Sequence, residues 1–174
     1  MNCLDLERLK EYEGKEAFLK KLRQRAFESE MNYHGCAQVM VDTFLALVGH
    51  ECEGVTMAAS PFSAGLALTG KSCGALLGGL MVLGLTFGRR RLEEGMEGIL
   101  RGIRPMRKLV KFFEGRYGSG DCRDITKANL ADPEEAKAFF SSGGLERCAT
   151  LIGDTAVFIG ELLYDEFEKR EKEK

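Results

Sequence analysis

From Ala75 to Phe87 the chain runs thirteen residues without a charge, bounded by Lys71 on one side and by Arg89, Arg90 and Arg91 on the other. A membrane-spanning helix needs about 20 apolar residues, so a segment this short has to find its apolar surroundings inside the protein. It predicts a helix buried on all sides by other elements. Glycines at 74, 78, 79 and 84 weaken it, each by about 1 kcal/mol of helix propensity relative to alanine. That cost implies that neighbouring helices, or a cofactor, approach its backbone closely. Ser72 reads as the N-cap, which sets Cys73 in the first turn.

The rest of the chain supplies the surroundings as helices. Between Gly14 and Ser29, Ala17, Phe18, Leu22, Ala26 and Phe27 recur at helical spacing with charges on the opposite face. A second helix is expected from about Gly35 to Val48, with Cys36 in its first turn and Ala37, Met40, Val41, Phe44, Leu45 and Val48 as its buried stripe. Gly49 to Gly54 reads as a loop. Val55 to Leu68 reads as a third, apolar helix, in which Pro61 is admissible only near a start or a kink. From Leu92 to Gly115 the pattern is helical again, broken or bent between Gly102 and Pro105, with Met96, Ile99, Leu100, Ile103, Leu109, Val110, Phe112 and Phe113 facing the core. Tyr117 to Asp124 is turn-rich. A short helix follows Pro133 and ends at Ser141 to Gly144. The last runs from about Leu145 to Phe167, with Cys148 in its first turn and Ile152, Ala156, Ile159, Leu163 and Phe167 along one stripe. The charged stretch from Asp165 to Lys174 reads as a frayed, solvated helix end. No alternating segment is long enough for a strand. The expected architecture is all-α: one domain over residues 1–174, six or seven helices around the buried Gly-rich one.

A chain of 174 residues is long enough to bury most of its apolar surface in one core. With 30% charged and 44% hydrophobic residues, and 3 prolines against 21 glycines, disordered and fibrous readings are excluded. A net charge of −2 exerts no overall pull on nucleic acid or an anionic membrane. Neither is expected as a partner. Met1 to Arg8 lacks an apolar stretch after a basic start, so no secretory signal is read and a cytoplasmic location is expected. Thiols stay reduced there, and six cysteines then favour metal binding or redox cycling over a disulfide framework. No phosphate loop, nucleophile elbow or zinc-protease helix supports a kinase or hydrolase.

Cys36, Cys73, Cys122 and Cys148 each stand near an expected helix start or in a tight Gly-rich or charged turn. Unpaired N–H groups and the positive dipole end favour a thiolate there, and a lowered pKa makes such a sulfur a nucleophile, redox partner or metal ligand. The competing reading is that the cysteines fill the core as small hydrophobes or hold a structural zinc, in a non-redox helical adaptor whose charged faces bind a partner. With 36, 48 and 25 residues between them, the four make no local Cys-x-x-Cys clip and only tertiary folding could unite them. The contexts Gly35-Cys36, Ser72-Cys73-Gly74 and Ser119-Gly120-Asp121-Cys122 put N–H groups near sulfur, which makes Gly35, Ser72, Gly74 and Gly78 the expected cradle of a cofactor. Four thiolates suit an iron–sulfur cluster first, two cycling disulfides without metal second, and tetrahedral zinc third.

Gly35-Cys36-Ala37-Gln38, Cys73-Gly74-Ala75-Leu76-Leu77-Gly78, Gly118-Ser119 with Cys122-Arg123-Asp124, and Cys148 at the last helix together resemble the redox-active family named C_GCAxxG_C_C, over about residues 30 to 165. The resemblance implies a small prokaryotic helical protein whose four family cysteines are Cys36, Cys73, Cys122 and Cys148. It also implies redox activity and a cysteine arrangement akin to an iron centre in related cytochrome-type proteins. The family's Phe-Gly-Gly segment is replaced here by Pro61-Phe62-Ser63-Ala64-Gly65, which predicts a backbone passing less closely to the site. Cys3 and Cys52 fall outside the pattern and read as incidental, with a resolving thiol as the one other role for Cys52.

His34, two residues before Cys36, reads as a helix-entry residue ahead of a base or ligand, and His50 as an exposed loop residue. Arg89, Arg90, Arg91, Arg101, Arg104, Arg107, Lys108 and Lys111 make a basic stretch, while residues 124–174 carry twelve acidic and seven basic residues. That asymmetry is either solvated surface or a means of docking a redox partner protein or pairing as a homodimer.

Overall fold

Helical periodicity becomes helix along most of the chain. The structure, a computed structural model, describes residues 3–174. In chain order the helices are α1 (Lys15–Tyr33), α2 (Cys36–Val48), α3 (Glu53–Ala59), α4 (Gly74–Phe87), α5 (Gly95–Tyr117), α6 (Cys122–Thr126), α7 (Pro133–Ser141) and α8 (Gly144–Lys172), with 3₁₀ turns at Leu6–Glu11, Ser60–Phe62 and Leu92–Glu94. Among the described residues there is no strand, and the fold is all-α. Two isolated bridges pair Leu4 with Gly49 and Ser72 with Asp121. No helix is long and apolar enough to cross a membrane among the described residues.

The uncharged segment lies at the centre, as expected: no residue of α4 is exposed. Its glycines let other helices in. A Cβ on Gly78 would stand 2.6 Å from the Ala37 carbonyl oxygen and 2.9 Å from Met40 Cβ, so α2 crosses directly over that point. A Cβ on Gly79 would meet Ile159 of α8 and Leu109 of α5. The stripe read for α2, Ala37 through Val48, is buried, as is the Ile152-to-Phe167 stripe of α8. The most extensive helix contact joins α1 to α8. There Gly160 receives Leu19 and Leu22, and Phe18 and Leu22 are fully buried, each contributing about 1.5–3 kcal/mol. Asp154 of α8 accepts from both Arg23 and Arg116, tying α1, α5 and α8 together.

Five local readings are corrected. Cys73 itself is the N-cap of α4 and Ser72 lies outside the helix, paired across the bridge with Asp121. The helix expected over Val55–Leu68 stops at Ala59. After the 3₁₀ turn, Ala64, Gly65, Leu66, Ala67 and Leu68 all take positive φ between 49° and 74°, a left-handed turn that costs non-glycine residues about 1–2 kcal/mol each. It is closed by hydrogen bonds from Ala67 N–H to the Pro61 carbonyl and from Gly70 N–H to the Ala64 carbonyl.

In α5 there is no break: the helix is continuous through Pro105. Its inward stripe is Gly98, Gly102, Leu109 and Phe113, with Gly102 set against the Phe87 carbonyl. The neighbouring Met96, Ile99, Leu100 and Ile103 therefore face outward and are exposed, not core. The C-terminal stretch is likewise not a frayed end. Helix α8 continues to Lys172, Phe167 is buried, and Lys174 and Glu171 pair with Glu7 and Lys10 of the N-terminal turn.

Candidate four-cysteine site

Four separate elements deliver the four thiols. Cys36 is the first residue of α2, after Gly35 at φ +91°. Cys73 caps α4, Cys122 opens α6, and Cys148 lies one turn inside α8. Three backbone hydrogen bonds lock two of them together: Cys73 N–H to Gly120 O at 2.8 Å, Cys122 N–H to Lys71 O at 2.7 Å, and Arg123 N–H to Gly70 O at 2.9 Å. This short antiparallel contact holds the start of α4 beside the start of α6.

The left-handed turn completes the frame. A Cβ on Gly65 would stand 2.7 Å from Cys122 Cβ and 2.5 Å from the Lys71 carbonyl oxygen, so only glycine fits. The Ala64 N–H points at the Cys36 sulfur. The expectation that Pro61–Gly65 keeps its distance from the site is thus overturned: the left-handed turn presses that backbone inward, and Ser63 and Ala64 line the site.

All four thiols line one cavity of about 230 Å³ with Ile125, Leu130, Phe139 and Ile152 among its apolar walls. Cys73 and Cys122 are buried; Cys36 and Cys148 are half-buried. Cys148 also borders an adjoining surface cleft lined by Arg116, Arg147 and Asp154. No two of the four are bonded to each other. Among the described residues no three His, Cys, Asp or Glu side chains are grouped so that they could hold a metal ion.

Burial, not the helix ends, sets the thiol acidity. It pushes Cys36 up to about 11 and Cys148 up to about 12, with the Glu30 carboxyl adding to both, and it raises Cys73 and Cys122 as well. Backbone N–H groups of Ala64 and Ala37 at Cys36, and of Ala75 and Leu76 at Cys73, pull the other way but do not win. The expected low-pKa thiolates are therefore corrected: desolvation outweighs dipole and hydrogen bonds.

Of the expected cradle, Gly35 lines the cavity. Gly74 is pressed between the Cys36 sulfur and the Phe62 carbonyl oxygen, 2.7 Å from where its Cβ would be, so it lets α2 and the 60–63 segment meet beside the site. Gly78 serves helix packing, and Ser72 serves the bridge to Asp121. His34 caps the C-terminus of α1 at φ +60°, with Nδ1 at 2.9 Å from the Glu30 carbonyl oxygen, and borders the cavity. His50 is exposed, as read. Cys3 and Cys52 are not incidental: they form a disulfide with Cα atoms 6.0 Å apart. The pair ties the N-terminal segment to the start of α3, away from the cavity, and takes Cys52 out of any resolving role there.

The sequence reading passed over Glu30. It is 5% exposed, on the face of α1 that carries Phe18, Leu22 and Ala26, and it lines the cavity. A glutamate four residues after Ala26, at the next position of an apolar stripe, was the available signal. Burial raises its carboxyl to about 7.

Over residues 34–162 the chain matches the family model described as Putative redox-active protein (C_GCAxxG_C_C). No curated protein and no solved structure matches it.

Proposed function

The chain belongs to the C_GCAxxG_C_C family of redox-active proteins, and on that premise we propose that Cys36, Cys73, Cys122 and Cys148 hold an iron–sulfur centre through which the protein carries electrons or senses redox state. The observation that carries this reading is the convergence of four thiols from four separate elements on one cavity of about 230 Å³. The donor set fits: soft thiolates are the usual ligands of iron–sulfur clusters.

When bound, such a centre supplies the electron transfer. The chain's residues do the rest. The apolar walls exclude water, and the N–H groups of Ala64, Ala37, Ala75 and Leu76 aimed at Cys36 and Cys73 offset ligand charge. Cys148, bordering the open cleft, is the side from which a partner protein would exchange electrons.

A second reading has the thiols cycling as disulfides without metal. Such exchange needs a thiolate near neutral pH, and burial holds Cys36 and Cys148 far above that range. Anaerobic titration with dithionite separates the two. The proposal expects a visible absorption band that bleaches on reduction and returns on reoxidation, with no thiols released beyond the two of the Cys3–Cys52 disulfide. Release of thiols at Cys36, Cys73, Cys122 or Cys148, beyond the two of the Cys3–Cys52 disulfide, without any visible band would establish the disulfide mechanism instead.

A further inference from the structure

The first half of α5 turns an apolar stripe outward. Met96 and Leu100 are 66% and 59% exposed, Ile99 and Ile103 lie beside them at helical spacing, and Leu92 of the preceding 3₁₀ turn extends the line. Single apolar residues on a surface need no explanation, whereas a contiguous stripe marks an interaction face. Gly98 and Gly102, on the opposite side of the helix, hold it against the protein, so among the described residues nothing covers the stripe. Charges of both signs border it. Glu93 and Glu97 stand at its start, and Arg104, Arg107 and Lys108 at its end. All five are exposed, and none makes an ion pair among the described residues, whereas Arg101 is tied to Glu94. An anionic membrane would attract the basic end and repel the acidic one. The order of the signs suits a copy of the same helix running the opposite way.

We infer that two copies of this chain pair through α5 about a two-fold axis, antiparallel and stripe on stripe. Such an interface is isologous: the contact residue i makes to j is repeated from j to i. Glu97 and Arg104 are seven residues apart and so share one side of the stripe. A two-fold axis running across both helices in the contact plane sets that side against itself. With Met96 opposite Ile103 and Ile99 opposite Leu100, Arg104 of one copy falls about 3 Å along the axis from Glu97 of the other, and two such pairs form. The pairing leaves the thiol cavity free. Gly102 packs against the Phe87 carbonyl, at the far end of α4 from Cys73, and the length of that helix separates the two by about 20 Å.

Sedimentation velocity of the full-length protein over a dilution series is expected to show a reversible dimer. Leu100→Glu, a change at an exposed position, should sediment as a monomer with the helical circular dichroism of the wild type. Arg104→Glu sets a carboxylate against Glu97 twice per dimer and should weaken association about tenfold. Adding Glu97→Arg to it restores both pairs and should recover the wild-type association constant. A wild type that stays monomeric at every concentration overturns the inference, whether or not it binds phosphatidylserine vesicles. So does a dimer that survives Leu100→Glu, because it forms through another face, and so does a double variant that associates no more tightly than Arg104→Glu alone.

Discussion

Cys73→Ser protein, purified without oxygen, is expected to retain almost none of the iron and sulfide of the wild type. Cys73 caps α4, is 8% exposed, and has its sulfur facing the Ala75 and Leu76 N–H groups at the wall of the shared cavity. A serine hydroxyl there is smaller and harder, and is a poor substitute for a thiolate on a soft metal centre. Because the backbone of residue 73 is held by its N–H to the Gly120 carbonyl, the side chain cannot follow a displaced centre. The informative control is Cys52→Ser. It breaks a disulfide that closes a separation of 49 residues, which the chain-entropy account values at about 4 kcal/mol. That variant should melt well below the wild type yet hold its full complement of iron per folded chain. Equal loss of iron in the two variants would sink the assignment of Cys73.

Gly74→Ala is expected to lower stability by about 1–3 kcal/mol, the usual range for overpacking, and to reduce iron occupancy as well. Its Cβ would collide with the Cys36 sulfur, would come within 2.7 Å of the Phe62 carbonyl oxygen and would lie 3.2 Å from the Ala37 amide nitrogen. Two of those atoms are backbone and cannot rotate away. The start of α2 must therefore shift from α4, and Cys36 moves with it. Gly84→Ala provides the contrast within the same helix. Nothing but Met106 Cε, at 4.0 Å, lies near its Cβ, so the gain in helix propensity should raise stability by up to about 1 kcal/mol. Urea unfolding midpoints of the two variants measure both effects. Similar shifts of the same sign would contradict the close packing described for the α2–α4 crossing.

The buried course of α4 was legible from its run without a charge, and the stripes of α2 and α8 from side-chain periodicity. The inward face of α5 was not, because it is drawn by Gly98 and Gly102, residues that a hydrophobic pattern does not count, while the apolar Met96 and Leu100 point outward. The left-handed turn at Ala64–Leu68 was hidden for another reason: four of its five residues are types that ordinarily avoid positive φ, and only tertiary contact holds them there.

At the site, the four cysteines could be named from sequence, and their presence on one cavity required the fold. The juxtaposition of Cys73 and Cys122 rests on a bridge of a few residues, too short to leave a strand pattern. Thiol acidity was misread because local sequence shows the helix start but not the depth of burial. Glu30 was overlooked since its charge suggests a surface residue, whereas its register places it on the buried face of α1.

Iron, zinc and acid-labile sulfide analysis of native protein purified without oxygen decides whether the four thiols hold an iron–sulfur centre. Stoichiometric iron and sulfide with little zinc are expected. Zinc without sulfide, or a colourless protein free of metal, would contradict such a centre.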